Sequence, residues 1–208
     1  MSISPNTPVT ERMIIPVRGT KEDWKEPLKA YLLALKQQNG YLRSRWGPWS
    51  ENEQNLDLLS GWKSKEARDQ FFASDVFAKR MEEFKKVTTG PIKSHFIKFV
   101  PYAPRAAINS PITECITISS PSMTEDEMRA CLDNARTMDG LHDLASGFAV
   151  GDDVGDSKVF VVALGWESLE QSRAADKSAY IPATGKSVEC HHVNFHFPIK
   201  GFSPTNTH

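Results

Sequence analysis

The sequence is poor in cysteine and lacks the short motifs of the common cofactor-dependent enzymes. Its three cysteines, Cys115, Cys131 and Cys190, are widely separated and form no C-x-x-C pair. This excludes a zinc or redox site of that spacing and favours reduced, buried thiols over a disulfide framework. No G-x-G-x-x-G, G-x-x-x-x-G-K-[ST] or G-x-S-x-G is present, so nucleotide binding and serine hydrolysis have no support.

An excess of charge and long apolar runs are also missing. The formal net charge of -1 gives no electrostatic case for nucleic acid or an anionic membrane as a partner. No apolar run approaches the ~18–20 residues that a membrane span needs. Residues 1–12 lack the basic and apolar regions of a secretory signal. We therefore predict a cytoplasmic protein without nucleic-acid or membrane partners.

The chain contains an internal repeat. Four segments recur in the same order, at offsets that stay between 96 and 104 residues, which indicates a duplication with small insertions and deletions. The matches pair TERMII (10–15) with TECITI (113–118), NGYL (39–42) with DGLH (139–142), LSGWKSKEARDQFFAS (59–74) with ALGWESLEQSRAADKS (163–178), and SHFIKF (94–99) with CHHVNF (190–195).

Each copy has the hydrophobic pattern of a β-α-β-β-α-β unit. Alternating, β-branched segments predict strands, and apolar residues at helical spacing predict helices. In the first copy the strands are 10–18, 41–49, 55–63 and 92–100, and the helices are 21–40 and 64–86. In the second copy the strands are 112–119, 141–151, 157–166 and 187–197, and the helices are 124–138 and 168–180.

This element order predicts an α+β protein of two tandem ferredoxin-like units. A single unit has helices on one face of its sheet and must bury the other face, and a tandem copy supplies a partner for it. We expect an intramolecular dimeric α/β barrel. The predicted segments are an N-terminal tail (1–9), the first half (10–100), a linker (101–111), the second half (112–200) and a C-terminal tail (201–208).

The repeated units resemble a known superfamily. Two β-α-β-β-α-β halves, a Gly-Trp-x-Ser junction at 61–64 and again at 165–168, and a last strand with His followed by Phe resemble the dimeric α/β barrels. Within them, the chain is similar to the antibiotic biosynthesis monooxygenase-like proteins, especially their tandem fungal forms. The resemblance covers roughly residues 10–197. It implies a pocket in each half, between the sheet and its helices.

The resemblance implies a small enzyme that needs no cofactor or metal. Its substrate would be a hydrophobic, aromatic or polyketide-like molecule of secondary metabolism. Deprotonation would be followed by oxygenation, or by isomerisation, cyclisation or decarboxylation. Two alternatives remain open, a non-catalytic binding or stress-response protein and a haem enzyme, because this fold hosts many chemistries. The protein would be a monomer with a pseudo-dimeric core, or a homodimer.

The histidines near the end of the chain do not form a predicted metal site. His192 and His196 lie four residues apart on one side of a strand, about 13 Å along it, which is too far for joint zinc ligation. We expect both to be structural, at the interface between the halves. His191 has an equivalent in the first copy, His95, and both share a face with apolar residues. Each is a candidate base in the pocket of its half, or else a structural histidine.

Most of the further candidate residues lie in the first copy. Arg43 and Arg45 are candidates for stabilising an oxyanion, or else belong to a solvated strand. The aromatic and imidazole side chains predicted to line the substrate pocket are Tyr41, Trp46, Trp49, Phe72, Trp62 and, in the second half, His142. For Trp62 and Phe72 a place in the core is the favoured interpretation. Because Asp143 stands where the first copy has Arg43, at most one half is expected to be active.

Overall fold

The two repeats fold as two units, each with a four-stranded antiparallel sheet and its own helices. The computed structural model describes residues 7–150, 158–181 and 185–196. This part of the chain divides after Phe96 into two compact units, unit 1 (7–96) and unit 2 (97–196). The predicted α+β fold of two ferredoxin-like units is confirmed.

Unit 1 places its helices on one face of a sheet with the strand order β2-β3-β1-β4. Its core lies between that sheet and α1, whose buried side chains include Trp24, Leu28, Tyr31 and Leu35. The elements are β1 (Val9–Pro16), α1 (Lys21–Lys36), β2 (Tyr41–Pro48), β3 (Asn55–Trp62), α2 (Lys65–Phe72), α3 (Asp75–Lys85) and β4 (Lys93–Ile97).

The single helix predicted over 64–86 is two helices in the structure. The first ends at Phe72, and Ser74 then acts as the N-cap of α3, accepting a hydrogen bond from Phe77 N at 3.2 Å. Serine competes with the helical backbone for hydrogen bonds and therefore favours a helix start over a helix interior. The predicted apolar stripe is continuous across this break, which is why periodicity alone did not show it.

Unit 2 repeats the topology, with the strand order β6-β7-β5-β8. Both of its predicted helices are shorter than expected, because each gives way to a 3-10 turn, at 134–137 and at 177–179. Part of the predicted linker is a short helix. The elements are α4 (Arg105–Ile108), β5 (Ile112–Ser119), α5 (Glu125–Asp133), β6 (Leu141–Phe148), β7 (Val159–Trp166), α6 (Leu169–Ala174) and β8 (Ser187–Val193).

The strand registers of the two units are equivalent. Val9 of β1 lies opposite Trp62, and Ile112 of β5 lies opposite Trp166. Gly40 and Gly140 both have a positive φ, of 78° to 84°, and both carbonyls accept a backbone hydrogen bond at 2.8 Å from the residue after the tryptophan. The matched residues of the repeat therefore occupy matched positions in space within each unit.

In unit 2 the residues that follow β4 run beside the edge strand β6. Ile97 bridges to Ala149, and Val100 exchanges backbone hydrogen bonds with Ser146 at 2.9 and 3.2 Å. Gly147 allows this approach, because a Cβ there would lie 2.2 Å from the carbonyl oxygen of Lys98. Phe99, from the same segment, is buried against β6 and β7.

The burial of the cysteines and the length of the helices can both be compared with the sequence analysis. Cys115 is buried as predicted, but the same prediction is wrong for Cys131, which is half-buried, and for Cys190, which is exposed. Over residues 7–150, 158–181 and 185–196, none of the helices has the length and apolar character needed to cross a bilayer.

Candidate active site

A buried glutamate marks the helix-covered face of the sheet in unit 1. Glu11 of β1 is fully buried, and its Oε1 accepts hydrogen bonds from Arg68 Nε at 3.1 Å and Arg68 Nη2 at 2.8 Å. Ser94 Oγ of β4 donates to the same oxygen at 3.0 Å. The carboxylate is thus neutralised from α2, which a buried charge requires.

Unit 2 has a glutamate at the equivalent position, and it receives more donors. Glu114 Oε2 accepts from Trp166 Nε1 at 3.0 Å, from Ser172 Oγ at 3.2 Å and from the Tyr180 hydroxyl at 3.2 Å. Its Oε1 accepts from Cys190 Sγ at 3.0 Å and from the Lys177 ammonium. Both oxygens of this carboxylate are satisfied.

The two glutamates share a framework with different chemistry. Arg68 and Ser172 occupy matched positions on the helix after the Gly-Trp-x-Ser junction, and Ser94 and Cys190 occupy matched positions on the last strand. In unit 2 the positive charge that Arg68 supplies in unit 1 comes from Lys177 instead.

One pair of atoms distinguishes the two sites. Trp62 is the equivalent of Trp166, and both side chains are fully buried. Trp166 Nε1 donates to Glu114, but among the described residues neither Trp62 Nε1 nor Glu11 Oε2 has a hydrogen-bond partner. Unit 1 therefore holds a buried donor and a buried acceptor that are not satisfied by described protein groups.

Aromatic rings surround this pair in unit 1. Trp62 lies 6.0 Å, between ring centroids, from both Tyr41 and Phe71, and Phe71 continues to Phe72 at 6.3 Å and to Phe77 at 5.4 Å. Tyr41, Phe72 and Phe77 are half-buried, so this aromatic cluster reaches the surface of the unit. The matched residues for Tyr41, Phe71 and Phe72 in unit 2 are Leu141, Ala175 and Asp176.

Arg68 links the aromatic cluster to the carboxylate. Its guanidinium carbon lies 3.0 Å from the ring centroid of Phe72 and 4.2 Å from that of Phe96. A guanidinium held between two rings keeps a fixed orientation, because stacking and the fork to Glu11 constrain it together. The site is therefore preorganised on one side by a rigid cation.

The tyrosines beside the two glutamates remain protonated. Burial, and then the negative charge of Glu11, raise the pKa of Tyr31 well above its usual value. Burial, followed by the charge of Glu114 and its hydrogen bond, raises the pKa of Tyr180 in the same direction. Both tyrosine hydroxyls therefore stay protonated at neutral pH and can donate hydrogen bonds.

The two candidate catalytic histidines lie on the other face of each sheet. Ser94 bonds to Glu11 and Phe96 contacts Arg68, so His95 between them projects away from α2. His191 is paired with Cys115 in the β5–β8 ladder, on the face opposite Glu114. The structure therefore does not place either histidine in a pocket between the sheet and its helices.

The predicted base and anion stabilisers of unit 1 are not brought together. Arg43 and Arg45 share a sheet face with His95, but β2 and β4 are the two edges of the sheet. Three strand spacings, ~14 Å, separate the backbones of these two edge strands. Burial, and then the charge of Arg43, lower the pKa of Arg45.

The remaining predicted pocket residues are dispersed. Trp46 is buried on the helix side, with its ring 5.9 Å from that of Trp24, so it belongs to the core beside α1. Trp49 is half-buried beyond the end of β2. His142 is exposed in unit 2, with Nδ1 3.2 Å from Ser110 Oγ. Only Tyr41, Trp62 and Phe72 of the predicted set meet in one cluster.

His192 occupies the position that the sequence assigned to His191. It lies opposite Glu114 in the ladder and is buried, with Nε2 2.8 Å from Ser172 Oγ. The expectation that it faces away from the site is therefore wrong, because the helix-facing side of β8 is the one that carries Cys190 and His192. His196 is exposed, with Nε2 3.1 Å from the Asn109 carbonyl oxygen, and Phe197 lies outside the described residues.

Sequence reasoning missed the glutamates, although a signal for them was present. Both lie at the same position of the repeat, in the matched strand segments TERMII and TECITI. A charged residue that is kept in two copies of a buried strand indicates a specific buried partner. The partner is Arg68 for Glu11 and Ser172 for Glu114, 57 and 58 residues away along the chain. The sequence alone does not show that these residues meet in the fold.

Comparison with known proteins places the fold. No family model and no curated protein matches the chain. Among solved structures it is similar to an anthrone oxidase-like protein, with a TM-score of 0.65 and 12% identity over 90% of each chain. A proposed monooxygenase of Lactobacillus acidophilus has a TM-score of 0.55 at 10% identity, over 90% of this chain and 93% of that one. Another, from Fusobacterium nucleatum, has a TM-score of 0.56 at 9% identity, over 90% and 91%.

The chain thus has the fold of these monooxygenase-like proteins along most of its length. The fold that the predicted resemblance implies is confirmed by these solved structures. At identities of 9–12% the likeness carries no residue roles, so the chemistry must be argued from the side chains of this chain.

Proposed function

We propose that the protein is a cofactor-independent enzyme whose active site is the aromatic cluster of unit 1. Its substrate would be a hydrophobic aromatic molecule with an acidic C–H or O–H group, of the anthrone type. The observation that supports this most directly is the contact chain from the half-buried ring of Tyr41 through Trp62, Phe71 and Phe72 to Arg68, which is bonded to the buried Glu11 carboxylate.

The aromatic cluster is suited to a flat substrate. Large rings provide stacking area at low entropic cost, and the half-buried ring of Tyr41 leaves surface that a ligand can cover. Unit 2 has aliphatic and acidic residues, Leu141, Ala175 and Asp176, at the matched positions. Unit 2 is therefore not proposed as an active site, in line with the expectation that at most one half is active.

The reaction would begin with removal of a proton by Glu11. Deprotonation of an anthrone-type carbon leaves a carbanion whose negative charge is delocalised through the rings onto the carbonyl oxygen. Molecular oxygen adds at that carbon, and the hydroperoxide formed loses water to leave a carbonyl group. A CH2 group and O2 thus become C=O and H2O. The substrate supplies all four electrons, so no external reductant is needed.

The same proton transfer would also serve a non-oxidative reaction. An enolate held against the rings can be protonated at another carbon, which is isomerisation. The same enolate also forms when a substrate that carries a β-keto carboxylate loses carbon dioxide. The alternative set of groups, His95, His191, Arg43 and Arg45, lies on the opposite faces of the sheets and would require a different site. A pair of variants on the two faces of unit 1 separates these possibilities.

The first test is oxygen consumption with anthrone as the probe. We expect the protein to accelerate anthrone oxidation, with one atom of labelled O2 appearing in the product by mass spectrometry. Glu11→Gln should reduce the rate by about 100-fold, within the usual contribution of a general base. His95→Gln should leave it unchanged. Loss of activity in His95→Gln with retention in Glu11→Gln would move the chemistry to the other face.

A second variant of unit 1 tests the rings with a natural replacement. Tyr41→Leu introduces the residue that unit 2 carries as Leu141, so the change suits the strand. We expect the KM for anthrone to rise several-fold, with a smaller change in kcat. Leu141→Ala in unit 2 is the control and should leave both constants unaltered. A compound converted without oxygen uptake would favour the isomerase version of the same site.

A further inference from the structure

Among the described residues, unit 1 contains a buried donor and a buried acceptor atom without hydrogen-bond partners, whereas the matched groups of unit 2 are bonded to each other. Buried polar atoms nearly always have partners, because an unpaired one costs about 1–3 kcal/mol. Glu11 Oε2 and Trp62 Nε1 belong to fully buried side chains, and neither has a partner within the described part of the chain. An acceptor and a donor are thus both unsatisfied on one sheet face.

Their equivalents show that the backbone brings the two groups together. In unit 2, Trp166 Nε1 lies 3.0 Å from Glu114 Oε2. The registers are the same, with Glu11 opposite Ser60 and Trp62 two residues further along β3, as Glu114 is opposite Leu164 and Trp166 two residues further along β7. Such diagonal neighbours are within reach of long side chains.

Arg68 explains why the pair is not closed in unit 1. Its Nε and Nη2 both donate to Glu11 Oε1, and Ser94 donates to the same oxygen. Phe72 and Phe96 fix the guanidinium from two sides. In unit 2 this arginine is replaced by Ser172, and the freed carboxylate takes bonds from Trp166, Ser172 and Tyr180.

We propose that Glu11 Oε2 and Trp62 Nε1 bind one hydroxyl group of a neutral aromatic ligand. The carboxylate accepts the hydroxyl hydrogen, and the indole N–H donates to the hydroxyl oxygen. This assignment rests on the active site proposed above and specifies its ligand as a phenol or the enol form of a ketone. Unit 2 binds no such ligand, because its own side chains fill both roles.

The chemistry of the pair selects this class of ligand. A hydroxyl both donates and accepts, which satisfies both groups at once. A carboxylate or phosphate would be repelled by Glu11, and an ammonium could not accept from Trp62. Arg68 already neutralises the carboxylate, so a neutral ligand is preferred to a cation. Tyr41 and Phe71, on either side of Trp62, are suited to an aromatic ring on that hydroxyl.

Calorimetric titration with paired probes tests the ligand class. 1-Naphthol can donate and accept, 1-methoxynaphthalene can only accept, and naphthalene can do neither. With oxygen excluded, we expect 1-naphthol to bind at least about tenfold more tightly than either analogue, the size of a hydrogen bond to a charged acceptor. Equal affinities for 1-naphthol and 1-methoxynaphthalene would overturn the proposal, and this comparison needs no variant.

Matched variants in the two units test the location. Trp62→Phe and Glu11→Gln should each weaken 1-naphthol binding by about five- to tenfold and reduce its preference over 1-methoxynaphthalene. Trp166→Phe and Glu114→Gln should change the dissociation constant less than about twofold, provided a thermal melt shows the fold retained. Sensitivity to the unit 2 variants instead would overturn the assignment, as would a crystal soaked in 1-naphthol that shows only water between Glu11 and Trp62.

The result separates this inference from the proposed reaction. Selective 1-naphthol binding without anthrone turnover would support the hydroxyl site and refute the oxygenase. Turnover of anthrone that is unaffected by Trp62→Phe, with no preference between the two naphthalene derivatives, would support the enzyme and refute the hydroxyl site.

Discussion

Glu114 illustrates what a buried carboxylate needs at the scale of single residues. Five side chains donate to it, and Ser172 also lies 2.8 Å from His192 Nε2. When the serine hydroxyl donates to Glu114, the histidine must donate to the serine oxygen. The network is closed by its own members, which suits it to stabilising the unit.

The hydroxyl of Tyr180 provides a measurable part of that stability. Tyr180→Phe should lower the free energy of unfolding by about 1–3 kcal/mol, because it removes a hydrogen bond to a buried charge. Tyr31→Phe in unit 1 is the matched control, since that hydroxyl contacts only the weak acceptor Met13 Sδ at 3.4 Å among the bonds observed. Urea denaturation measures both losses, and equal losses would contradict the network's role.

The site was only partly predictable from the sequence for reasons that act at this scale. Strand alternation correctly separated His191 from His192, but it cannot say which face of a strand the helices cover. That choice depends on long-range packing, such as Ser172 against Glu114. Tyr41, Trp62 and Phe72 could be proposed as pocket residues because aromatic side chains are recognisable wherever they lie, whereas the strand glutamates Glu11 and Glu114 were not singled out.

At the scale of elements, the helix starts follow from short local patterns. Thr124 and Glu127 form a reciprocal pair at the start of α5, in which Thr124 N donates to Glu127 Oε2 at 2.8 Å and Glu127 N donates to Thr124 Oγ at 3.4 Å. A capping box of this kind can be recognised in a sequence, because it needs only two residues at fixed spacing. The break between α2 and α3 was missed, because a cap inside a longer apolar stripe is outweighed by the stripe.

The capping box of α5 should make stability depend on pH. Hydrogen bonds from the Thr124 N–H and then the Thr124 hydroxyl lower the pKa of Glu127 below its ordinary 4.5. The folded pKa is therefore lower than the unfolded one, so the stabilisation is present above pH 4.5 and is lost as the pH falls through the folded pKa.

Glu127→Gln checks this sign. The variant should be less stable than the wild type at pH 6, and the difference should shrink at pH 3, because the glutamate of the unfolded wild type is protonated below its ordinary pKa of 4.5. Chemical denaturation at the two pH values measures both differences. Thr124→Ala, which removes the hydroxyl of the cap, should lower stability by about 1 kcal/mol at pH 6. A difference between Glu127→Gln and wild type that is constant with pH would contradict the assignment.

At the scale of the whole molecule, the repeat is symmetric in backbone and asymmetric in chemistry. The same registers, glycines and Gly-Trp-x-Ser junctions recur in both units. The fold was predictable because repeated patterns reinforce one another and each unit needs only its own core. The asymmetry was predicted from Arg43 against Asp143, but the structure locates it between Arg68 and Ser172 as well.

This asymmetry predicts one binding site for each chain. Calorimetric titration of the wild type with 1-naphthol should give a stoichiometry of one ligand per 208 residues, because within the described residues only unit 1 leaves its donor and acceptor unsatisfied. Two equivalent sites would show that the Glu114 network opens to admit a ligand. In that case Trp166→Phe would change the stoichiometry. We expect instead that the stoichiometry of this variant stays at one.

The segment beside β6 affects whether two copies of the protein can associate through a sheet edge. An edge strand with unpaired backbone groups can recruit a strand from a neighbouring chain and begin aggregation. Ile97 and Val100 already bridge to the outer side of β6, and Gly147 lets the backbone of Lys98 come close. The segment that joins the two repeats therefore covers this edge and opposes the addition of a strand from another chain.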